Sequence, residues 1–243
     1  MELIALKNRI IEKYKGDDAE LTALLKMFDN DVAVFPFNEY ELFINTLISK
    51  GQLTYADYLE IRDEYIKQNP NLWIFEISAP RGFGETFAQS FVRNKSSRLL
   101  SPSKKLDKDY HGQYDLWYNG IRIEVKASRV VDADSNEPLY RKALSSNTKR
   151  PFLMNFQQLK PQCCDVFVWL AVYRDIIKMW VMNSEEVTNH PDYSKGQHRG
   201  NSGNEGQLHI RETNIHTLDG FLLKDDNLAQ AIDDAFGRIG KLK

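Results

Sequence analysis

Gln113-Tyr114-Asp115-Leu116-Trp117-Tyr118-Asn119-Gly120-Ile121-Arg122-Ile123-Glu124-Val125-Lys126 is the stretch that decides how this chain folds and where its chemistry lies. Asn119-Gly120 is a strong signal for a two-residue hairpin turn, because both turn positions need positive φ. With that turn, Tyr118 pairs with Ile121, and counting outward sets Asp115 directly across from Glu124. Lys126 follows two residues later, on the same strand face as Glu124. Ile121, Ile123 and Val125 alternate onto the opposite face, as expected of a half-buried strand. Two carboxylates opposed on one sheet face repel each other, and a divalent cation between them removes the repulsion. The hairpin therefore predicts a metal site.

Outward from the hairpin, the chain has 243 residues, of which 42% are hydrophobic and 27% charged, the balance of an ordinary globular protein. No apolar run approaches the roughly 20 residues that span a bilayer, and no basic-then-apolar leader is present, so no membrane and a cytoplasmic location are expected. The two cysteines, Cys163 and Cys164, are adjacent and are expected to be reduced beside a buried strand. The net charge of -2 gives no global attraction to nucleic acid, so any such binding must come from local basic patches.

Helical spacing over residues 2–15, 18–28 and 38–50, and a helix from Thr54 to about Gln68, predict a mostly helical N-terminal subdomain over 1–70, an interface or DNA clamp. The remainder, 71–243, forms the core. Leu72 to Ile77 has the composition of a strand or a short buried segment. Glu85 to Val92 reads as a helix, Leu153–Leu159 as a short helix, 165–173 and 176–182 as buried strands, 207–210 as a strand, and 225–236 as a closing helix. This order predicts an α/β (α+β) fold, a central mixed β-sheet flanked by helices.

Asp115 followed by Glu124-Val125-Lys126 resembles the PD-(D/E)xK nuclease signature, and the setting is most similar to that of type II restriction endonucleases. The resemblance implies a restriction-endonuclease-like core and Mg²⁺-dependent hydrolysis of phosphodiester bonds in double-stranded DNA. It implies that Asp115, Glu124 and the intervening Val125 hold the metal, while Lys126 assists the attacking water. Glu85 resembles the acidic residue that many members place beside the metal from the preceding helix. Gln157 resembles a polar residue facing the metal from a following helix. Tyr114 stands where the motif's proline would be. The match covers about fourteen residues closely and 83–182 by element order.

Basic residues on both sides of the hairpin, Arg93, Lys95 and Arg98 before it and Arg129 and Arg150 after it, are candidates for phosphate contacts. Within a loop at 189–206, Gln197, His198, Arg199, Asn201 and Asn204 combine side chains that pair with base edges. These features together predict a sequence-specific restriction enzyme, a homodimer if it cuts both strands of a symmetric site. The rival expectations are a repair or recombination nuclease directed by DNA structure, and a non-catalytic DNA-binding protein on the same fold.

Overall fold

The computed structural model describes Ala19 and residues 47–196 and 205–240. The helices expected at 2–15 and 18–28, most of 38–50, and the base-reading candidates Gln197, His198, Arg199, Asn201 and Asn204 lie outside the described residues. Helix α1 (Tyr55–Gln68) begins as expected. Thr54 Oγ1 accepts from the Asp57 N–H while the Asp57 carboxylate accepts from the Thr54 N–H, a reciprocal capping box.

The fold is mixed α/β, with two four-stranded sheets and several helices. In the first sheet, β1 (Leu116–Tyr118) and β2 (Ile121–Arg129) form the expected hairpin, with Tyr118 opposite Ile121 and Leu116 opposite Ile123. Asn119 and Gly120 adopt φ of 49° and 88°, the two left-handed positions that an Asn-Gly turn supplies. β5 (Val166–Val172) runs parallel to β2 and antiparallel to β6 (Ile177–Asn183), giving the order β1-β2-β5-β6. Every residue of β5 is buried, which explains its unbroken apolar run.

The second sheet is antiparallel, in the order β3 (Val131–Asp132), β4 (Phe152–Leu159), β8 (Gly206–Arg211), β7 (Tyr193–Lys195). The single central sheet of the sequence analysis is thus two sheets. β3 follows β2 after one residue, so the same run of chain passes from the first sheet into the second. The segment Leu153–Leu159, expected as a short helix, is strand β4. Its buried residues alternate at Phe152, Met154 and Phe156, then slip by one at a bulge before Leu159, and the slip imitates helical spacing. Leu72–Glu76 is a 3₁₀ helix that buries Leu72, Ile74 and Phe75 and leaves Trp73 exposed.

Two cores sandwich the first sheet. Ile121, Ile123 and Val125 of β2 and Val166, Val168 and Leu170 of β5 pack against Val92 of α2 (Gln89–Asn94) and Leu228, Ile232 and Ala235 of α4 (Leu228–Phe236). On the other side, Phe167, Trp169 and Ala171 pack against Met154, Phe156, Leu208 and Ile210 of the second sheet. Each fully buried aliphatic side chain contributes about 1.5–3 kcal/mol, so β5 is held from both faces and β2 from its helix-side face. The short helix α3 (Ser184–Thr188) follows β6, capped by Asn183 and Glu186. Among the described residues, no helix is long and apolar enough to cross a membrane.

Candidate active site

Asp115 sits immediately before β1, and its N–H donates at 2.9 Å to the carbonyl of Ile123, the residue already paired with Leu116, so the regular register ends at Leu116. Its carboxylate is held from two directions. Oδ2 accepts from the Val125 N–H at 2.8 Å, and Oδ1 accepts from the Gln89 side-chain amide at 2.7 Å. Burial and then the neighbouring Glu124 charge push the Asp115 carboxyl up to about 7, against the Val125 N–H and Lys126, which favour its ionised form. The Glu124 charge is thus felt at Asp115, although the paired register ends at Leu116–Ile123 and does not extend to the direct Asp115–Glu124 pair expected from the turn count.

Glu124 and Lys126 lie together on the other face of β2 from the helix-side core. Their side chains form an ion pair, Nζ to Oε1 at 2.7 Å, with 14% and 18% of each exposed. Val125, between them, turns its side chain into the helix-side core, so only its main chain is available to the site. Tyr114, at the motif's proline position, is buried against the second core and donates its hydroxyl to Asp107 at 2.9 Å. That packing fixes the chain on its approach to Asp115.

These groups open on a cleft of about 890 Å³. Asp115, Glu124, Val125 and Lys126 line it from the hairpin, Glu85 and Gln89 from the preceding helical segment, and Asn155, Gln157 and Gln158 from β4. Glu85 lies on a π-helical turn, Gly82–Ala88, and its charge is felt at Asp115. It is half exposed and pairs with Arg81 at 3.0 Å. Gln89 escaped the sequence analysis. Its signal was its place four residues after Glu85, one helical turn along the same face. Gln157 reaches the cleft from a strand, in place of the helix expected for it.

The basic candidates separate. Arg129 lines the cleft. Its guanidinium donates to the carbonyls of Ile74 (3.1 Å) and Ile77 and lies 3.8 Å over the Phe83 ring, and burial pulls its pKa down to about 10, still charged at neutral pH. Arg93 donates to Ser101, Lys95 pairs with Asp226 at 2.8 Å, and Arg98 stacks 4.7 Å over Tyr118, whose ring belongs to the helix-side core. Arg150 pairs with Asp132 at 3.2 Å. None of these four lines the cleft. Cys163 and Cys164 are free thiols at the start of β5, as expected, and burial followed by the Glu124 charge raises Cys164.

Among the described residues, no three His, Cys, Asp or Glu side chains gather as a metal-binding group. The donors at the cleft are instead two close carboxylates backed by main chain. Such a set suits Mg²⁺, which keeps several waters and completes its shell on substrate phosphate, and does not suit zinc. No family model matches the chain, and no curated protein shows significant similarity to it.

Proposed function

We propose that this chain is a Mg²⁺-dependent endonuclease that hydrolyses phosphodiester bonds of double-stranded DNA, of the PD-(D/E)xK kind, and that it works as a sequence-specific type II restriction enzyme. One observation carries the reading. Asp115, Glu124 and Lys126 converge on one open cleft, and Asp115 is pushed up to about 7 by burial and by the adjacent Glu124. A group that is strained when ionised in the free protein is relieved by a cation.

Asp115 and Glu124 would hold the metal, with the main chain at Val125 beside them. The chemistry such a bound Mg²⁺ would supply is a coordinated water of lowered pKa and an offset to the charge on the attacked phosphate. The chain's own contribution is preorganisation. Gln89 and the Val125 N–H fix the Asp115 carboxylate, and the helix-side core and the pairing with β5 keep β2 from shifting. Lys126 keeps an ammonium beside Glu124, where it orients the attacking water and balances the negative charge that grows on the phosphate. Arg129 adds a positive charge to the same cleft. Cutting both strands of a symmetric site calls for a homodimer.

A second reading, a non-catalytic DNA-binding protein, has its own support. Glu124 and Glu85 each already hold a cationic partner, Lys126 and Arg81. Incubating plasmid or phage DNA with the full chain, with and without Mg²⁺, separates the readings. Discrete bands in Mg²⁺ and none in chelator are expected. Smearing would favour a nuclease directed by DNA structure. Intact DNA under all metal conditions would leave the binding protein.

A further inference from the structure

β4 carries a feature that the cleavage chemistry does not use. Between the pairs Phe156–Leu208 and Leu159–Gly206 the strand bulges, and Gln158 takes φ of 56°, a left-handed conformation that costs a non-glycine residue energy. The bulge places two successive glutamines, Gln157 and Gln158, exposed at the cleft that Asp115, Glu124 and Lys126 also line. Asn155 joins them there. Its main-chain N–H donates to Ser128 Oγ at 3.0 Å, tying β4 to β2 two residues beyond Lys126. Its side-chain Oδ1 is buried with no hydrogen-bond partner. A desolvated acceptor left unmet is a standing cost that a ligand donor would remove.

We infer that Asn155, Gln157 and Gln158 form the base-reading edge of the cleft, taking nucleobase edges of duplex DNA. The inference rests on the nuclease reading for its ligand and gives that site its specificity element. Three properties choose bases over phosphates. β4 has no ionised side chain from Phe152 to Leu159, whereas phosphate contacts draw on Arg and Lys. Carboxamides offer a donor and an acceptor together, the pattern that adenine presents at N7 and N6. A bulge re-aims side chains that a regular strand would send to alternate faces. Near the same edge of the sheet, the Gly196 N–H donates to the Glu205 carbonyl at 2.8 Å. Gly206, the next residue, pairs with Leu159 at the end of the bulge. The base-reading edge thus lies on the strand itself, at the cleft that Asp115, Glu124 and Lys126 line.

The test is equilibrium selection of a duplex library with randomised central positions by the full chain in chelator, where no strand is cut, followed by sequencing of the bound fraction. The native chain should enrich particular bases. Asn155→Ala, Gln157→Ala and Gln158→Gly should each lose discrimination about tenfold or more at one or two positions while the other positions keep theirs. Gln158→Gly keeps the left-handed backbone, so its profile reports the side chain alone, and thermal unfolding of each variant identifies any that misfold. Unchanged profiles in the folded variants, or binding by the native chain with no base preference, would overturn the inference. Enrichment lost in the variants, with no cleavage in Mg²⁺, would support this edge and remove the nuclease reading. Cleavage in Mg²⁺ with profiles unmoved would do the reverse.

Discussion

The two faces of β2 differ in almost everything except their backbone. On one, Ile121, Ile123 and Val125 are buried among the helices α2 and α4. On the other, Glu124 and Lys126 form a partly buried ion pair at an open cleft. Adjacent residues thus serve opposite ends, because successive side chains of a strand point to opposite faces. The apolar face is where the free energy of folding is gained. The charged face costs some of it, since burial and the Glu124 charge push the facing Asp115 carboxyl, just before β1, up to about 7. A site on a strand is more firmly positioned than one on a loop, and β2 is anchored by its helix-side core and by its pairing with β5.

That division is open to attack, first on the charged face. Glu124→Gln keeps the shape and removes the charge, and it should lower the Mg²⁺-dependent cleavage rate by roughly 10²–10³-fold or more, with a smaller effect on unfolding than any truncation of the apolar face. Ile123→Ala on that other face should do the opposite, costing about 2–5 kcal/mol in urea unfolding while each folded molecule still cuts. If Ile123→Ala abolished cleavage in molecules shown to be folded, the two faces would not be separable.

Asp115 lies between these extremes, and its titration gives the comparison a sharper form. In the unfolded chain this carboxyl loses its proton near the ordinary value of 3.8, and in the fold near 7. The folded state therefore holds the extra proton through that window. The stability that this group contributes is full below about pH 4 and is lost as pH rises through about 7. Asp115→Asn removes the titration, so its advantage over the native chain should grow between pH 5 and pH 8, to the order of a few kcal/mol. Adding Mg²⁺ at pH 8 should stabilise the native chain and leave the variant unmoved. Urea melts at both pH values check this, and an advantage equal at both would show that Asp115 is not strained.

The hairpin could be read from the sequence because everything that specifies it is local. A two-residue turn, strict alternation and a residue count suffice to pair Tyr118 with Ile121. The second sheet could not be read in the same way. Strands β3 and β7 are two and three residues long, too short to show a period, and the β4 bulge moves Leu159 out of step with Phe152, Met154 and Phe156. Gln89 was missed for a related reason, since its value depends on Asp115, 26 positions away. The basic residues misled in the other direction. Arg93, Lys95 and Arg98 lie close to the hairpin along the chain, yet Arg98 rests on Tyr118 at the far core and Lys95 is drawn to Asp226 beside α4.

The smallest expected effect lies at the turn that joins the two strands. Gly120 has φ of 88°, and a Cβ built there meets no atom within 4 Å. Gly120→Ala therefore adds no clash, and its cost is conformational alone, on the order of 1 kcal/mol. Because Asp115 is tied to Ile123 and Val125 of β2 just beyond the pairs that this turn sets, any loosening should appear at the site before it appears in global stability. Cleavage by Gly120→Ala should fall by more than its modest loss in unfolding free energy accounts for, whereas Gly120→Asn, a residue that tolerates the left-handed region, should recover most of both. Parallel losses of cleavage and stability in Gly120→Ala would mean that the register is held by β5 and the cores, and that the turn only follows it.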